Sequence, residues 1–265
     1  MARSTPVRII PARRRAPIDS PTVPKSGRIA QLTTTCSTCN LRELCPPCCG
    51  LSRSERDAAD QMVFNRARLR RGENLYRTGD HLTCLYAVRR GFFKSTTVLE
   101  NGHDQVTGYT MAGEILGMDA IGSERHTCNT IALEDSDVCA IPFAGLQALA
   151  HQIPSLQHHF RKMMSREILR EQGVMLLLGS MNADERLAMF LLDMSRRFAA
   201  LGNSPSEFNL RLTREEIGSY LGLKLETVSR TLSKFQQEGL IDVQQKFIRI
   251  HDSAGLGRVM GRESD

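Results

Sequence analysis

Residues 212–235 read LTREEIGSYLGLKLETVSRTLSKF, and this stretch decides the architecture of the C-terminal part of the chain. Thr213 followed by Glu216 has the spacing of a capping box, in which hydroxyl and carboxylate each satisfy a backbone amide at a helix start. Ile217, Tyr220 and Leu221 give that helix an apolar face. Gly222 falls where a tight interhelical turn requires a positive φ, which glycine adopts without steric cost. A second helix follows, with Val228, Leu232 and Phe235 inward at i, i+4, i+7. Glu226, Ser229, Arg230 and either Ser233 or Lys234 then face outward. Short polar side chains around one arginine suit a DNA major groove. Arginine donates to guanine, a carboxylate accepts from cytosine, and serine does either. Thr227 and the capping Thr213 complete the candidate DNA-binding set.

Downstream, Glu238-Gly239-Leu240-Ile241 and Lys246-Phe247-Ile248-Arg249-Ile250 alternate as a short β-hairpin. Helix, glycine turn, helix and hairpin make a winged helix-turn-helix, whereas a plain helical hairpin with a solvated face lacks the last part. Upstream, Ser155 to about Arg197 is free of proline and rich in Leu, Met, Arg and Glu, which predicts long helix. Between Leu69 and Phe143, short apolar runs (82–88, 91–98, 105–111, 115–118 and 130–133) are punctuated by glycines. That pattern predicts an antiparallel roll, and Ser54 to Arg66 reads as a short helix before it. The expected class is α+β, an N-terminal β-roll joined by a long helix to a winged helix-turn-helix. The expected divisions are a disordered basic tail over 1–35, a cysteine loop over 36–50, the roll over 51–154, the long helix over 155–183 and the DNA reader over 184–265.

At 265 residues the chain is long enough for two modest cores. The longest apolar run, near Val174 to Leu178, is far short of the ~20 residues that span a bilayer. No apolar segment follows the first methionine, so the expected location is the cytoplasm, with no membrane partner. The tail's six arginines are accompanied by five prolines, which oppose the amphipathic helix of a transit peptide. A net charge of +6 suits contact with phosphate. The absence of tryptophan argues against single-strand binding by base stacking. No phosphate loop, HExxH or locally supported catalytic triad is present, so an enzyme is not expected.

Eight cysteines are many for a chain without an export signal, and five fall between Cys36 and Cys49. Cys36, Cys39 and Cys45 are separated by two and five residues, so one short loop can bring their thiolates to one centre. Spacing alone leaves three readings open: a zinc site with Cys48, an iron–sulfur cluster with a distant fourth cysteine, or redox-reactive thiols. Cys84 and Cys128 lie in strand-like segments and read as small core residues. His158-His159 reads as helix surface.

The helix-turn-helix resembles that of the CRP/FNR regulator superfamily, whose Glu-x-x-Ser-Arg motif contacts bases. Here those positions are Glu226, Ser229 and Arg230. Leu225 stands where the cyclic-nucleotide branch has arginine, which resembles the FNR branch and implies a palindrome of the TTGAT…ATCAA type. The cysteine spacing is similar to the FNR loop. That resemblance implies a [4Fe-4S] cluster on Cys36, Cys39, Cys45 and, from the segment DVCAIPF, Cys139. Cys48 and Cys49 depart from the pattern. It further implies that the roll is cyclic-nucleotide-binding-like, a double-stranded β-helix, and that RNA polymerase is a partner. The nucleotide itself is not expected, because Met118 stands where such sites have a glutamate and His126 where they have an arginine.

Met164, Ile168, Glu171, Met175 and Leu178 step by four, three, four and three, an a/d seam that predicts a homodimer through the long helix. Packing of this face on its own roll is the alternative. Glu171 is out of place in a seam, since two facing carboxylates repel. The FNR family has an acidic residue there that opposes dimerisation. The expected switch is a cluster-stabilised dimer that oxygen converts to monomer, with loss of DNA binding.

Overall fold

The computed structural model describes residues 65–99 and 102–261. The N-terminal unit is a roll of two four-stranded antiparallel sheets. One runs β1 (Asn65–Leu69), β8 (Ser136–Pro142), β3 (Cys84–Arg90), β6 (Ile115–Leu116); the other runs β2 (Asn74–Tyr76), β7 (Asn129–Ala132), β4 (Phe92–Val98), β5 (Asp104–Met111). Alternation along each strand sends Leu69, Val88, Phe93, Leu116, Ala132 and Val138 into the space between the sheets. Gly91, at φ 111°, links β3 to β4; a Cβ there would overlap Ser136, so only glycine fits.

The outer face of the first sheet carries Leu85, Ala87 and Ile141. Against it pack Leu146 of α1 (Phe143–Gln152) and Leu156 of α2 (Pro154–Ser180). The helix α1 is a difference from the sequence pattern, which places its residues FAGLQALAHQ in the roll. A second difference concerns 54–66. The described end of that segment, Asn65 and Arg66, is strand rather than helix, paired with Ala140 and Cys139 of β8. The local helix propensity yields there to the ladder bonds of the sheet.

The long proline-free stretch is two helices. α2 ends at Ser180 and α3 spans Ala183–Ala200. No glycine or proline forces the break. Asn182 makes it, its side-chain oxygen accepting from the amides of Asp184 and Glu185 while the Glu185 carboxylate accepts from its own amide.

The C-terminal unit holds α4 (Arg214–Leu221), α5 (Leu225–Gln237), the sheet β10 (Ile241–Gln244), β11 (Phe247–Ile250), β9 (Glu207–Asn209), and α6 (Ser253–Val259). Leu187, Leu191, Ile217, Leu221, Val228, Phe235, Ile241 and Ile248 are its buried centre, each at most 2% exposed. Phe92, Val106, Tyr109 and Met111 of the roll belong to that same cluster. Reader and roll therefore share one apolar core. Among the described residues, no helix is long and apolar enough to cross a membrane.

Candidate DNA reader, long-helix face and cysteine site

Helix α4 begins as its sequence requires. The Thr213 hydroxyl accepts the Glu216 amide at 3.1 Å, and the Glu216 carboxylate accepts the Thr213 amide at 2.7 Å. Gly222 ends it at φ 63°, and α5 follows at once. Val228, Leu232 and Phe235 are buried as expected, which turns the opposite face of α5 to solvent. Glu226 and Arg230 are exposed, and Thr227 and Ser229 are half-buried beside them. The two residues left open at the far end are both engaged. The Ser233 hydroxyl donates to the Ser229 carbonyl at 3.0 Å, and the Lys234 ammonium is 2.7 Å from Asp184. Thr231 also donates to Asp184, at 3.0 Å, so the recognition helix is tied to the start of α3. Those bonds hold the Asp184 carboxyl below its usual pKa.

Along α2, only Leu156 and Leu177 are buried. Ile168, Leu169, Met175 and Leu176 are 57–65% exposed. Two of these, Ile168 and Met175, belong to the seam read from sequence; Leu169 and Leu176 do not. Spaced seven apart, Leu169 and Leu176 form a neighbouring stripe that an a/d reading omits. Four apolar residues on one exposed helix form the kind of patch a monomer rarely leaves open. Glu171 lies among them, its carboxyl pushed up by partial burial and by Glu167, with Arg170 opposing.

Met164, Ile168, Glu171 and Met175 face a cleft of about 620 Å³ between α2 and the roll. Its floor includes Tyr76, Met118, Asp119 and Cys128. His126 lies behind it, 3% exposed, stacked on Tyr76 at 3.6 Å and paired with Asp119 at 3.2 Å. Burial works against the Asp119 charge, yet His126 and the Thr127 amide hold its carboxyl below the usual value. Arg125 donates away from the cleft, to the Gly79 carbonyl. Among the described residues of the lining, the single cation is Arg170, engaged by Glu114 and Glu167, while Asp119, Glu167 and Glu171 supply three acids.

Cys139 stands in β8, directly across from Arg66 of β1 and Ala87 of β3, half-buried against Leu85 and Ile141. Among the described residues, the Nε of Arg66 is buried without a hydrogen-bond acceptor. Cys36, Cys39, Cys45, Cys48 and Cys49 lie outside the described residues, and among the described residues no group of three or more metal-binding side chains occurs. Cys128 is buried, its thiol pushed up to about 12 by desolvation and the nearby Asp119, which makes it an inert core residue. Burial likewise raises Cys84.

Residues 66–152 match the family described as the cyclic nucleotide-binding domain, and 185–259 match the Crp-like helix-turn-helix domain. The chain is 44% identical over 229 residues to the transcriptional regulatory protein btr of Bordetella pertussis, covering 86% of this chain and 94% of that protein. It is 43% identical over 226 residues to the fumarate and nitrate reduction regulatory protein of Escherichia coli K12, covering 85% and 90% respectively. Among solved structures, FixK2 from Bradyrhizobium japonicum superposes with a TM-score of 0.70 at 27% identity, over 76% of this chain and all of that one.

Proposed function

Because the chain belongs to the CRP/FNR family of transcription regulators, we propose that it is an oxygen-responsive member in which a [4Fe-4S] cluster sustains the DNA-binding homodimer. DNA is its partner and catalysis is not its role. The observation that carries the finer reading is Cys139, a half-buried thiol on the sensor sheet, in the strand paired with β1, the first described strand after the cysteine segment in sequence. Cys36, Cys39, Cys45 and Cys139 would hold the cluster, and four thiolates are the donor set it takes. The fit is supported by Arg66, a cation across from Cys139 whose buried Nε has no acceptor among the described residues, since a cluster with four thiolates is an anion. When bound, the cluster supplies an oxygen-labile tie, and its oxidation by O2 is the signal.

The chain's own residues do the rest. Held in this way, Cys139 would join β8 to the segment carrying the other three thiols and so couple them to the sheet on which α1 and the start of α2 pack. Met164, Ile168, Met175 and Leu178, with Leu169 and Leu176 beside them, pair with a second copy, and Glu171 keeps that pairing marginal. Glu226, Ser229 and Arg230 read bases in each half of a TTGAT-N4-ATCAA-like palindrome, flanked by Thr227 and Thr213. Two reading helices are required for such a site, so loss of the dimer costs most of the affinity. The regulator bound there would contact RNA polymerase and control genes of anaerobic respiration. The three acids lining the cleft disfavour a phosphate, in keeping with a sensor that takes no cyclic nucleotide.

Anaerobic purification tests the reading. The protein should be brown, contain iron and sulfide, form dimers and shift the palindromic duplex, and should lose all four properties in air. A colourless, zinc-containing protein that binds DNA equally in air would overturn it. Cys139→Ser should abolish the chromophore; retention would move the fourth ligand to Cys48.

A further inference from the structure

One arginine holds three helices at a single point. Arg186 lies in the first turn of α3, where the partial positive charge of the helix start disfavours a cation. Its own helix therefore gives no reason for an arginine there. The reason lies in the other two helices. Its Nε donates to the Met181 carbonyl at 2.8 Å, Nη2 to the Leu178 carbonyl at 2.9 Å, and Nη1 to the Leu221 carbonyl at 2.9 Å. Leu178 and Met181 close the C-terminus of the long helix α2, and Leu221 closes α4, the first helix of the DNA reader. Carbonyls at helix ends lack intrahelical partners, and both ends carry partial negative charge. The guanidinium satisfies both at once, and only a planar fork of donors has the geometry to do so.

Contact at the same point is close. A Cβ built on Gly222, the turn glycine of the reader, would lie 3.2 Å from Arg186 Nη1 and 3.3 Å from Leu178 Cδ2. Leu178 is also the last residue of the dimer seam. The roll holds α4 along its length: Lys94 pairs with Glu216 in the first turn at 2.7 Å, and the Val106 amide donates to the Ser219 hydroxyl in the last turn at 2.9 Å. Arg186 adds the tie from the last carbonyl of α4 to the end of the pairing helix.

We infer that Arg186 is a positioning residue for DNA recognition. Its guanidinium locks the reader's turn onto the end of α2, so that pairing of the two long helices sets the separation of the two recognition helices. This rests on the proposed dimeric DNA-binding function. Arg186 touches neither DNA nor cluster in this role; it converts helix pairing into half-site spacing.

The test uses full-length anaerobic protein and three duplexes carrying identical half-sites, with the spacer native, shortened or lengthened by about two base pairs. Wild type should prefer the native spacer by roughly 100-fold, as expected when both reading heads must fit at once. Arg186→Lys keeps the charge and loses the fork. It should lower affinity for the native spacer roughly tenfold and flatten the preference to about threefold or less, with the dimer fraction unchanged. Arg186→Met, which keeps the stem and removes every donor, should flatten it equally. An unchanged spacer preference in both variants overturns the inference. So does an equal loss on all three duplexes with a reduced dimer fraction, because that is general destabilisation. Wild type that fails to bind any of the duplexes would instead strike the proposed function.

Discussion

Tyr109 of β5 donates its buried hydroxyl to the backbone carbonyl of Glu216, 2.8 Å away in α4, so a sensor strand and the DNA reader hold each other without an intermediary. Burial drives the phenol's pKa far upward, keeping it a donor at any physiological pH. Its ring also packs on Tyr220 at 4.8 Å, and its own carbonyl accepts from Arg197 at 2.9 Å. Tyr109→Phe keeps the ring and removes one hydrogen bond between roll and reader, while the Glu216 carbonyl stays within the helical run of α4. The expected cost is about 0.5–1.5 kcal/mol, read as a melting temperature lower by a few degrees. No change would mean that reader and roll are not docked in solution as they are in this structure.

A second bond across the same junction gives it a pH dependence. Burial alone would raise the Glu216 carboxyl, but the Lys94 ammonium and the Thr213 amide bind its charged form and hold its pKa below the usual value. A carboxyl depressed on folding stabilises the fold above its unfolded pKa, and that contribution disappears as pH falls through the folded value. Both partners are near one-fifth exposed, so the effect is modest, about 1 kcal/mol or less. Lys94→Met should therefore melt slightly below wild type at pH 7, and the two curves should converge as acid protonates Glu216. A gap that stays constant down to strongly acidic pH would exclude the ion pair as its source.

The reader was legible almost residue by residue. Thr213, Glu216, Gly222, Val228 and Phe235 all act within a few positions of one another, so local spacing carries the information. The roll was legible in outline. Five apolar runs corresponded to β3–β7, while β1, β2 and β8, whose pairing depends on distant partners such as Arg66 with Cys139, left weak local signals. The break at Asn182 was written in the sequence as Asn-x-x-Glu, but no proline marked it, and Gly179 beside it stays within α2. Arg186 was beyond reach. Its three acceptors are backbone carbonyls, which have no sequence signature.

Arg230, the proposed base contact, should separate recognition from folding. It is exposed on α5, and the helix is held from its other face by Val228, Leu232 and Phe235. Arg230→Ala should leave the melting temperature unchanged. It should weaken binding to the palindrome by about 1–3 kcal/mol for each half-site and relax discrimination at one base position, as expected for loss of a bidentate guanine contact. Uniform weakening on all sequences, measured by competition with single-base variants of the site, would make Arg230 a phosphate contact instead.

On the proposed pairing, Glu171 should make dimerisation itself sensitive to pH. Its carboxyl is already raised within one chain by partial burial and by Glu167, against the pull of Arg170. Bringing a second copy against Ile168 and Met175 adds a like charge and removes water, and both favour the protonated form. A carboxyl with a higher pKa in the dimer than in the monomer binds protons on association. The dimer is therefore strengthened as pH falls through the raised value and weakened as pH rises above it. Sedimentation of cluster-free protein between neutral and mildly acidic pH should show the dimer fraction growing as pH falls. Glu171→Gln, which cannot titrate, should flatten that dependence, and Glu171→Ala should give more dimer than wild type in air. If both variants follow the wild-type curve, the carboxylate does not face its copy, and the pairing surface lies on the Leu169–Leu176 stripe alone.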